Sequence, residues 1–271
     1  MMRLTRRALL GGALASLATG AYATVVEPLL RLRVQRYRLQ PPHWTLGKPL
    51  RIAAIADPHI NTPIMPPTHM ARVVARTMAE KPDLIVLLGD YRSSIRFIRD
   101  RMSADEIAAC FAPLSAPLGV FAILGNHDWW QDPDPVVRRG DAMPSMVKAL
   151  ERVDIPVLEN NAVPIDHSGE RFWLAGLGDQ WAVRANGQLM AGRDDLPGTM
   201  AQVRDDRPVI LLAHEPDIFV KVPASVSLTL CGHTHAGQVR ILGWAPIIPS
   251  VYGARYLWGH IVEDGRNLIV S

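Results

Sequence analysis

The chain has 271 residues, of which 48% are hydrophobic and 20% are charged. This composition excludes a disordered protein, and the length allows one large domain or two small ones around a buried core. The two cysteines, Cys110 and Cys231, permit a disulfide but cannot establish one, so we expect two buried thiols.

The first 23 residues predict an export signal. The pair Arg6-Arg7 leads into an apolar run without charge up to Glu27, and 21–23 fits the small-x-small cleavage pattern. We therefore expect a twin-arginine signal peptide over 1–23, a partner in the twin-arginine export machinery, and delivery to the periplasm or cell envelope. The alternative is an uncleaved membrane anchor, since a stretch of this length could just span a bilayer.

Removal of residues 1–23 changes the charge balance of the chain. The removed segment contains three arginines and no acidic residue. The number of Lys plus Arg therefore falls from 29 to 26 and equals the number of acidic residues, 26. A neutral mature chain predicts no specific nucleic-acid partner. The N-terminal strand and linker expected over 24–49 keeps a basic segment that could touch anionic lipid at a membrane surface, although a solvated edge strand is the favoured interpretation. Its members are Arg31, Arg33, Arg36 and Arg38.

From residue 50 onward, short apolar runs are each followed at once by a polar cluster. Runs of about five apolar residues bounded by Gly, Pro and polar groups predict buried strands. The runs are 52–56, 84–88, 120–124, 209–213 and 226–230. Helices are predicted over 69–80, from a capping box at 103–106 to near Pro113, and over 143–152.

The end of the chain predicts a β-hairpin, with strands at 255–261 and 267–270 around the turn Asp264-Gly265. Strands that alternate with helices indicate an α/β fold. In such folds, ligands bind beyond the carboxyl ends of the strands. All five polar clusters lie at such strand ends.

The polar clusters contain ligands that suit a metal. One histidine after one strand is more often a boundary residue than a ligand, but five of the nine histidines fall in these clusters. Carboxylate oxygens and imidazole nitrogens bind hard and borderline divalent cations without thiolates. Two cations about 3.5–4 Å apart require a bridging anion between them. The clusters are Asp57-Pro58-His59, Gly89-Asp90, Gly125-Asn126-His127-Asp128, His214 and Gly232-His233-Thr234-His235.

In this order, the clusters resemble the signature motifs of the calcineurin-like metallophosphoesterase superfamily, over roughly residues 50–270. The resemblance implies a phosphoesterase domain over 50–271, with a two-sheet β-sandwich flanked by helices in four layers and a metal site at the carboxyl ends of the strands. The arginine pair and the stretch 237–240 look like the exported bacterial branch. That wider group includes phosphodiesterases and a pyrophosphatase that acts on a lipid A precursor.

The resemblance also implies two divalent metal ions (Mn, Fe or Zn) and their ligands. One metal would be held by Asp57, His59, Asp90 and His235. The other would be held by Asp90, Asn126, His214 and His233, so that Asp90 bridges. A hydroxide between the metals would attack a phosphodiester or pyrophosphate bond of a small-molecule or lipid-linked substrate.

Two further residues are candidates for catalysis. By the same resemblance, His127 matches the histidine that protonates the leaving oxygen or stabilises charge on the phosphoryl group. Asp128 could hold His127, or it could be a solvated loop carboxylate. Where the protein-phosphatase branch has an acid that orients this histidine, the chain has Ser93, which supports an imidazolium less well.

Other interpretations stay open from the sequence. The chain could hydrolyse a different bond, such as an amide, or be a metal-binding relative with weak catalysis. Substrate contacts are equally open: three tryptophans could line a pocket or pack in the core, and three arginines could meet a phosphate, although a solvated helix face is favoured. The tryptophans are Trp129, Trp130 and Trp181, and the arginines are Arg92, Arg96 and Arg99.

Overall fold

The structure is a computed structural model. It describes residues 5–22, 31–62, 64–93, 102–185, 188–237 and 244–271. Contacts divide the chain into two units, Met1–Tyr37 and Arg38–Ser271. In the first unit, helix α1 spans Arg6–Ala21, and the described basic residues Arg31, Arg33 and Arg36 are exposed. Among the described helices, none combines the length and hydropathy needed to cross a bilayer.

The second unit begins at Arg38 with a segment that contacts the core through side chains and forms no strand in its described part. No strand occurs in 31–49, and 24–30 lie outside the described residues, so the strand expected in 24–49 is absent from the part that can be seen. Pro41 and Pro42 lack the N–H groups that a ladder needs. Trp44 instead packs its ring 5.6 Å from the ring of Phe172, and Leu39 contacts the same core.

A small parallel sheet carries the first three polar clusters. Its strands lie in the order β1-β2-β3. Their bounds are β1 Ile52–Ile55, β2 Leu84–Leu88 and β3 Val120–Ile123, close to the predicted runs.

Helices cover the outer face of this sheet. They are α2 Pro67–Ala79, α3 Ala104–Ala109, α4 Asn126–Trp130, α5 Pro135–Arg138 and α6 Ser145–Glu151. The predicted capping box is present: the Ser103 N–H donates to Glu106 at 2.8 Å, and the Glu106 N–H donates to the Ser103 hydroxyl at 3.2 Å. Both groups fill hydrogen-bonding positions that the first turn of α3 would otherwise leave open.

A larger mixed sheet carries the remaining clusters. Its six strands lie in the order β10-β11-β9-β8-β5-β4. Strands β5, β8, β9 and β11 are mutually parallel, and β4 and β10 are antiparallel strands at the two edges. The bounds are β4 Asn161–His167, β5 Glu170–Gly176, β8 Val209–Leu212, β9 Val226–Cys231, β10 Gly259–Glu263 and β11 Arg266–Val270. A separate hairpin joins β6 Val183–Ala185 to β7 Gln188–Ala191.

The two sheets pack face to face and give the predicted four layers. In β2, Leu84, Val86 and Leu88 belong to the core between the sheets, whereas Ile85 and Leu87 belong to the core under the helices. The far face of the large sheet is covered by α7 Leu196–Met200 and by the 3-10 turn Pro216–Lys221. Because both faces of the central strands are buried, their sequences are continuous apolar runs.

Three local features differ from the sequence predictions. Strand β10 begins at Gly259 and not at 255, because Gly253–Tyr256 forms a 3-10 turn in which Tyr256 is buried and donates to Glu263 at 2.8 Å. The β4–β5 and β6–β7 hairpins were not predicted. Both cysteines are free as expected, but only Cys231 is buried, since Cys110 follows the last turn of α3 and is partly exposed.

Candidate metal centre

The predicted metal ligands converge at the carboxyl ends of strands from both sheets. Among the predicted ligands, two groups of side chains have ligand atoms within 4.8 Å of one another. The first group is Asp57, His59, Asp90 and His235, and the second is Asp90, His214 and His233. Asp90 belongs to both groups, and it is almost fully buried.

Sharp backbone turns at the strand ends direct these side chains toward one another. Asp57 (φ 51°), Asp90 (φ 57°) and His233 (φ 71°) all have the left-handed conformation, which non-glycine residues rarely adopt. Strain of this kind costs about 1–3 kcal/mol per residue and persists where surrounding contacts enforce it. Here the Asp57 N–H donates to the Gly89 carbonyl at 3.2 Å, and the His233 N–H donates to the Asp57 carboxylate at 2.9 Å.

Two motif glycines allow the chain segments to approach closely. Gly89 has φ +91°, and a Cβ there would overlap the backbone of Gly125. A Cβ on Gly125 would overlap the Asp90 carboxylate and the His214 ring. The glycines before Asp90 and Asn126 are therefore needed for the site to form at all.

Backbone carbonyls fix the tautomers of two histidines. Nδ1 of His59 lies 2.8 Å from the Arg92 carbonyl oxygen, and Nδ1 of His214 lies 2.7 Å from the Leu88 carbonyl oxygen. A carbonyl only accepts, so each Nδ1 carries a proton and a neutral ring presents a lone pair at Nε2. Both Nε2 atoms lie near the shared carboxylate: the distance to Asp90 Oδ2 is 3.5 Å from His59 Nε2 and 3.3 Å from His214 Nε2.

The last motif brings two more imidazoles to the same place. His235 Nε2 lies 3.1 Å from His59 Nε2 and 3.9 Å from Asp57 Oδ1. His233 Nδ1 lies 3.0 Å from Asn126 Oδ1, while its Nε2 is buried without a hydrogen-bond partner in the described part of the chain. Asn126 is thus placed with His233, as the resemblance implies.

Burial and the neighbouring charges shift the pKa values of the carboxylates and histidines in this cluster. Burial raises the pKa of Asp57 to about 6. Burial would also raise the pKa of Asp90, but His214 and His127 outweigh it and hold that pKa well below its ordinary value. Burial lowers the pKa of His233 to about 3 and that of His235 to about 4. Burial would lower the pKa of His214, but Asp90 and Asp57 outweigh it and raise that pKa well above its ordinary value, so the cluster combines one imidazole that favours protonation with two that disfavour it.

The donor set fits divalent cations. Without a cation, a proton on His214 Nε2 balances the Asp90 carboxylate 3.3 Å away, and a divalent cation held by the same atoms would take the place of that proton. Histidines that donate Nδ1–H to a backbone carbonyl and present Nε2 have the outer hydrogen bond typical of metal ligands. Nitrogen and carboxylate oxygen without thiolate suit Mn, Fe or Zn.

His127 lies beside this cluster. Its Nε2 is 3.9 Å from Asp90 Oδ2, and its ring meets the edge of His59 with centroids 4.9 Å apart. Its backbone N–H donates to Asp90 Oδ1 at 2.8 Å, whereas its Nδ1 is buried with no hydrogen-bond partner among the described residues. Burial lowers the pKa of His127 to about 4. Among the described residues, no acid forms a hydrogen bond with this ring, which agrees with serine at position 93.

Asp128 has a different environment from both of those expected. It is fully buried, so it is not a solvated loop residue, and no hydrogen bond joins it to the His127 ring among the described residues. Its carboxylate instead accepts backbone N–H groups at 3.0–3.2 Å, and the donors are Asp90, Tyr91, Arg92 and Gly125. Burial raises the pKa of Asp128, and the N–H groups oppose this by stabilising the carboxylate. Asp128 ties the loop after β2 to the loop after β3.

The tryptophans divide between core and rim. Trp129 is fully buried in the core under the helices. Trp130 meets His127 edge to face, with ring centroids 5.4 Å apart, and Trp181 meets His233 in the same way at 4.5 Å. Trp130 and Trp181 are therefore the two that flank the cluster.

Arg92 is not placed as expected. Arg92 is 6% exposed instead of lying on a solvated helix face. Its guanidinium donates to Ser145 Oγ at 2.8 Å and lies 3.9 Å from Asp132. Arg96 and Arg99 lie outside the described residues.

Two acidic residues were missed by the sequence analysis. Asp179 and Glu215 have ligand atoms within 4.8 Å of His214, and each has one buried carboxylate oxygen without a partner in the described regions. Burial and the neighbouring Glu215 raise the pKa of Asp179. A signal was available: Gly178-Asp179 follows an apolar run at 172–177, the same pattern that identified Gly89-Asp90.

Comparison with known proteins agrees with this geometry. Residues 50–237 match the calcineurin-like phosphoesterase family. The chain is 31% identical to phosphodiesterase YaeI of Escherichia coli over 277 residues, which cover 99% of this chain and 91% of that protein. It is 27% identical to the uncharacterized metallophosphoesterase YkuE of Bacillus subtilis over 285 residues (100% and 91%). It is 30% identical to the putative metallophosphoesterase F40B5.2 of Caenorhabditis elegans over 241 residues, covering 86% of this chain but only 44% of that protein.

The chain belongs to the calcineurin-like metallophosphoesterase family. This confirms the resemblance drawn from the ordered motifs, and the bacterial relatives agree with the bacterial branch. The α/β architecture, with one parallel and one mixed sheet, is the predicted fold.

Proposed function

We propose that the chain is a phosphoesterase with two divalent metal ions that hydrolyses phosphodiester or pyrophosphate bonds. The observation that carries this proposal is the position of Asp90, whose carboxylate belongs to both groups of ligand atoms. One buried carboxylate shared between two ligand sets is the arrangement that a metal pair requires. The relative named phosphodiesterase supports the choice of bond.

Each residue of the cluster has a role in this proposal. Asp57, His59, Asp90 and His235 would hold one ion, and Asp90, Asn126, His214 and His233 would hold the other. Such ions, when bound, supply Lewis acidity and make a nucleophilic oxygen available near neutral pH. The carbonyls of Arg92 and Leu88 keep the rings of His59 and His214 in the orientation that presents Nε2.

His127 would act on the substrate without holding a metal. Its Nε2 lies within 4 Å of the shared carboxylate, at the mouth of the cluster, and its side chain is partly exposed. Since burial lowers its pKa, the ring donates a hydrogen bond as a neutral imidazole. As a neutral ring it would stabilise charge on the phosphoryl group, whereas protonation of the leaving oxygen would require the imidazolium form, which the lowered pKa disfavours.

Asp128 has no proposed catalytic role. Its carboxylate is used by four backbone N–H groups, and it would hold the loops that present Asp90 and Asn126.

We also propose export through the twin-arginine pathway and action in the periplasm or cell envelope. Arg6-Arg7 and the apolar run that follows support this proposal. The substrate would be a small-molecule or lipid-linked phosphoester, with no specific nucleic acid.

A substrate panel tests the proposed reaction. The purified protein, stripped of metal and reloaded with Mn, should hydrolyse bis(p-nitrophenyl) phosphate or a nucleotide sugar faster than p-nitrophenyl phosphate, and the stripped protein should be inactive. A p-nitroanilide serves as the amide control. Turnover of the anilide alone would assign a different bond, and no turnover of any substrate would indicate a metal-binding relative without catalysis.

A further inference from the structure

Three neighbouring strands of the large sheet are each followed by a polar residue close to the candidate metal centre. Strands β5, β8 and β9 pair in parallel, and His214 and His233 follow β8 and β9. Asp179 follows β5, and the N–H of Leu177 between them donates to the Leu212 carbonyl of β8 at 3.0 Å. Because parallel strands bring their carboxyl ends to one edge of the sheet, Asp179 lies in the same row as the two histidines.

Asp179 and Glu215 form a buried carboxyl pair beside His214. Ligand atoms of the three residues lie within 4.8 Å of one another, and each residue is at most 1% exposed. His214 also belongs to the second group of candidate ligands, with Asp90 and His233. The carboxyl pair is therefore continuous with the candidate metal centre through a residue that both groups contain.

The local backbone uses one oxygen of each carboxylate. Asp179 Oδ1 accepts a hydrogen bond from the N–H of Trp181 at 2.8 Å, and Glu215 Oε2 accepts one from the N–H of Gln180 at 3.0 Å. These two bonds fix the turn that carries the Trp181 ring to His233, where the ring centroids are 4.5 Å apart. The structural role of the pair thus requires only one oxygen from each side chain.

The second oxygen of each carboxylate has no such use. Asp179 Oδ2 and Glu215 Oε1 are buried, and neither has a hydrogen-bond partner in the part of the chain that the structure describes. Burial of a carboxylate oxygen is unfavourable unless the oxygen is hydrogen-bonded, paired with a charge or bound to a metal. Two such oxygens next to a candidate metal ligand indicate that a cation is their partner.

We propose that Asp179 and Glu215 are further ligands of the second metal ion, to which their remaining oxygens bind together with His214. This rests on the proposed function, because it requires the second ion, and it goes beyond the ligands that the motifs imply. Those ligands include one charged group, Asp90, beside an amide and two imidazoles. The carboxyl pair would add negative charge and oxygen ligands, which hard divalent cations favour.

Equilibrium dialysis of the Mn-loaded protein against a series of free Mn concentrations tests the assignment. Asp179→Asn and Glu215→Gln each keep an oxygen that can accept the backbone N–H, and each replaces the other oxygen with an NH2 group, which does not bind a cation. In each variant, we expect one ion to be held as in the wild type. The other should bind with about 10- to 100-fold weaker affinity, the effect of losing a carboxylate that supports a metal site.

Asp195→Asn is the matched control. It removes the same charge from an exposed residue that caps α7, where the side chain accepts the N–H of Gly198 at 2.9 Å. Asparagine caps a helix as well as aspartate does, so the fold is kept. The affinity for both ions should be unchanged.

Two further backgrounds identify the ion that is weakened. His235→Gln removes a ligand of the first ion only, so adding Asp179→Asn should weaken the ion that remains. His233→Gln removes a ligand of the second ion only, so adding Asp179→Asn should not affect the ion that remains.

Wild-type affinity for both ions in Asp179→Asn and Glu215→Gln would overturn the assignment and leave a shared proton as the partner of the carboxyl pair. Equal weakening of both ions would reduce the pair to a structural role. A third ion in the wild type that the variants lose would make the pair a separate site. Turnover is measured on the same samples: a wild type that binds two ions and hydrolyses no substrate refutes the proposed reaction, while selective weakening in the variants still supports the ligand assignment.

Discussion

The Asp128 carboxylate accepts a hydrogen bond from the backbone N–H of Asp90 at 3.0 Å. Through this bond and three others like it, a residue of the third motif fixes the loop that presents the shared ligand of the second motif. A carboxylate suits this position because it only accepts hydrogen bonds. The third motif therefore contains a structural acid, Asp128, as well as a candidate metal ligand.

Asp128→Asn should destabilise the metal-free protein. The amide has one oxygen for four donors, and its NH2 group would face an N–H, so we expect a loss of about 2–4 kcal/mol in the free energy of unfolding. Urea denaturation of the metal-free protein measures this directly. Unchanged stability with strongly reduced turnover would instead make Asp128 a catalytic residue.

Glu159 predicts how stability depends on pH. Both of its carboxylate oxygens are buried without a partner in the described regions, and burial raises its pKa from 4.5 to about 7, against the opposing charge of Arg193. The folded state then holds a proton that the unfolded state has lost, so this contribution to stability falls as pH rises from 4.5 to about 7.

Glu159→Gln cannot ionise and should be more stable than the wild type at pH 8 by about 1–3 kcal/mol, with no difference at pH 4. Denaturation of the metal-free proteins at both pH values gives the comparison. Glu151→Gln, an exposed site on α6, is the control and should show no such difference. A gain that is equal at pH 4 and pH 8 would rule out ionisation as its cause.

The arginine pair predicts the route of export. Lysine at both Arg6 and Arg7 keeps the charge but should trap precursor in the cytoplasm, because the receptor reads the pair itself. Cell fractionation with immunoblotting measures the distribution. Lysine at Arg33 and Arg36 is the control and should not alter export. Normal export of the Arg6/Arg7 double variant would eliminate this route.

His127→Gln should slow turnover in a way that depends on the leaving group. A full general acid contributes on the order of 10²–10⁴-fold, and we expect the lower end because burial lowers the pKa of His127 and no acid in the described regions orients the ring. Diesters with poor leaving groups should show the whole loss, and those with good leaving groups a small one. A linear free-energy plot over a series of aryl diesters provides the measurement, and parallel lines for both proteins would remove His127 from the acid role.

Much of the fold could be predicted from local sequence because its central strands are buried on both faces. The run Leu84–Leu88 is apolar throughout and was found with correct bounds. Strand β4 was missed because it alternates between exposed and buried residues and contains Pro164. Its turn, Ser168-Gly169, has positive φ at both positions (59° and 88°), the geometry of a two-residue hairpin, and the Ser-Gly dipeptide was the signal available in the sequence.

The site residues that could be predicted are those that follow an apolar run, at the end of a strand. Asp57, Asp90 and His214 each follow an apolar run, so the fold brings them together by topology. The environment of Asp128 was not predictable, since it depends on N–H groups that converge only after folding.

The central claim is that the cluster holds two divalent ions which share Asp90. Elemental analysis of the purified protein and of two variants tests it most directly. We expect about two transition-metal ions per chain in the wild type, little metal in Asp90→Asn, and nearly full metal in His127→Gln, because only Asp90 offsets the repulsion of both cations. No transition metal in the wild type and no activation by added Mn, or equal metal loss in the two variants, would contradict the account.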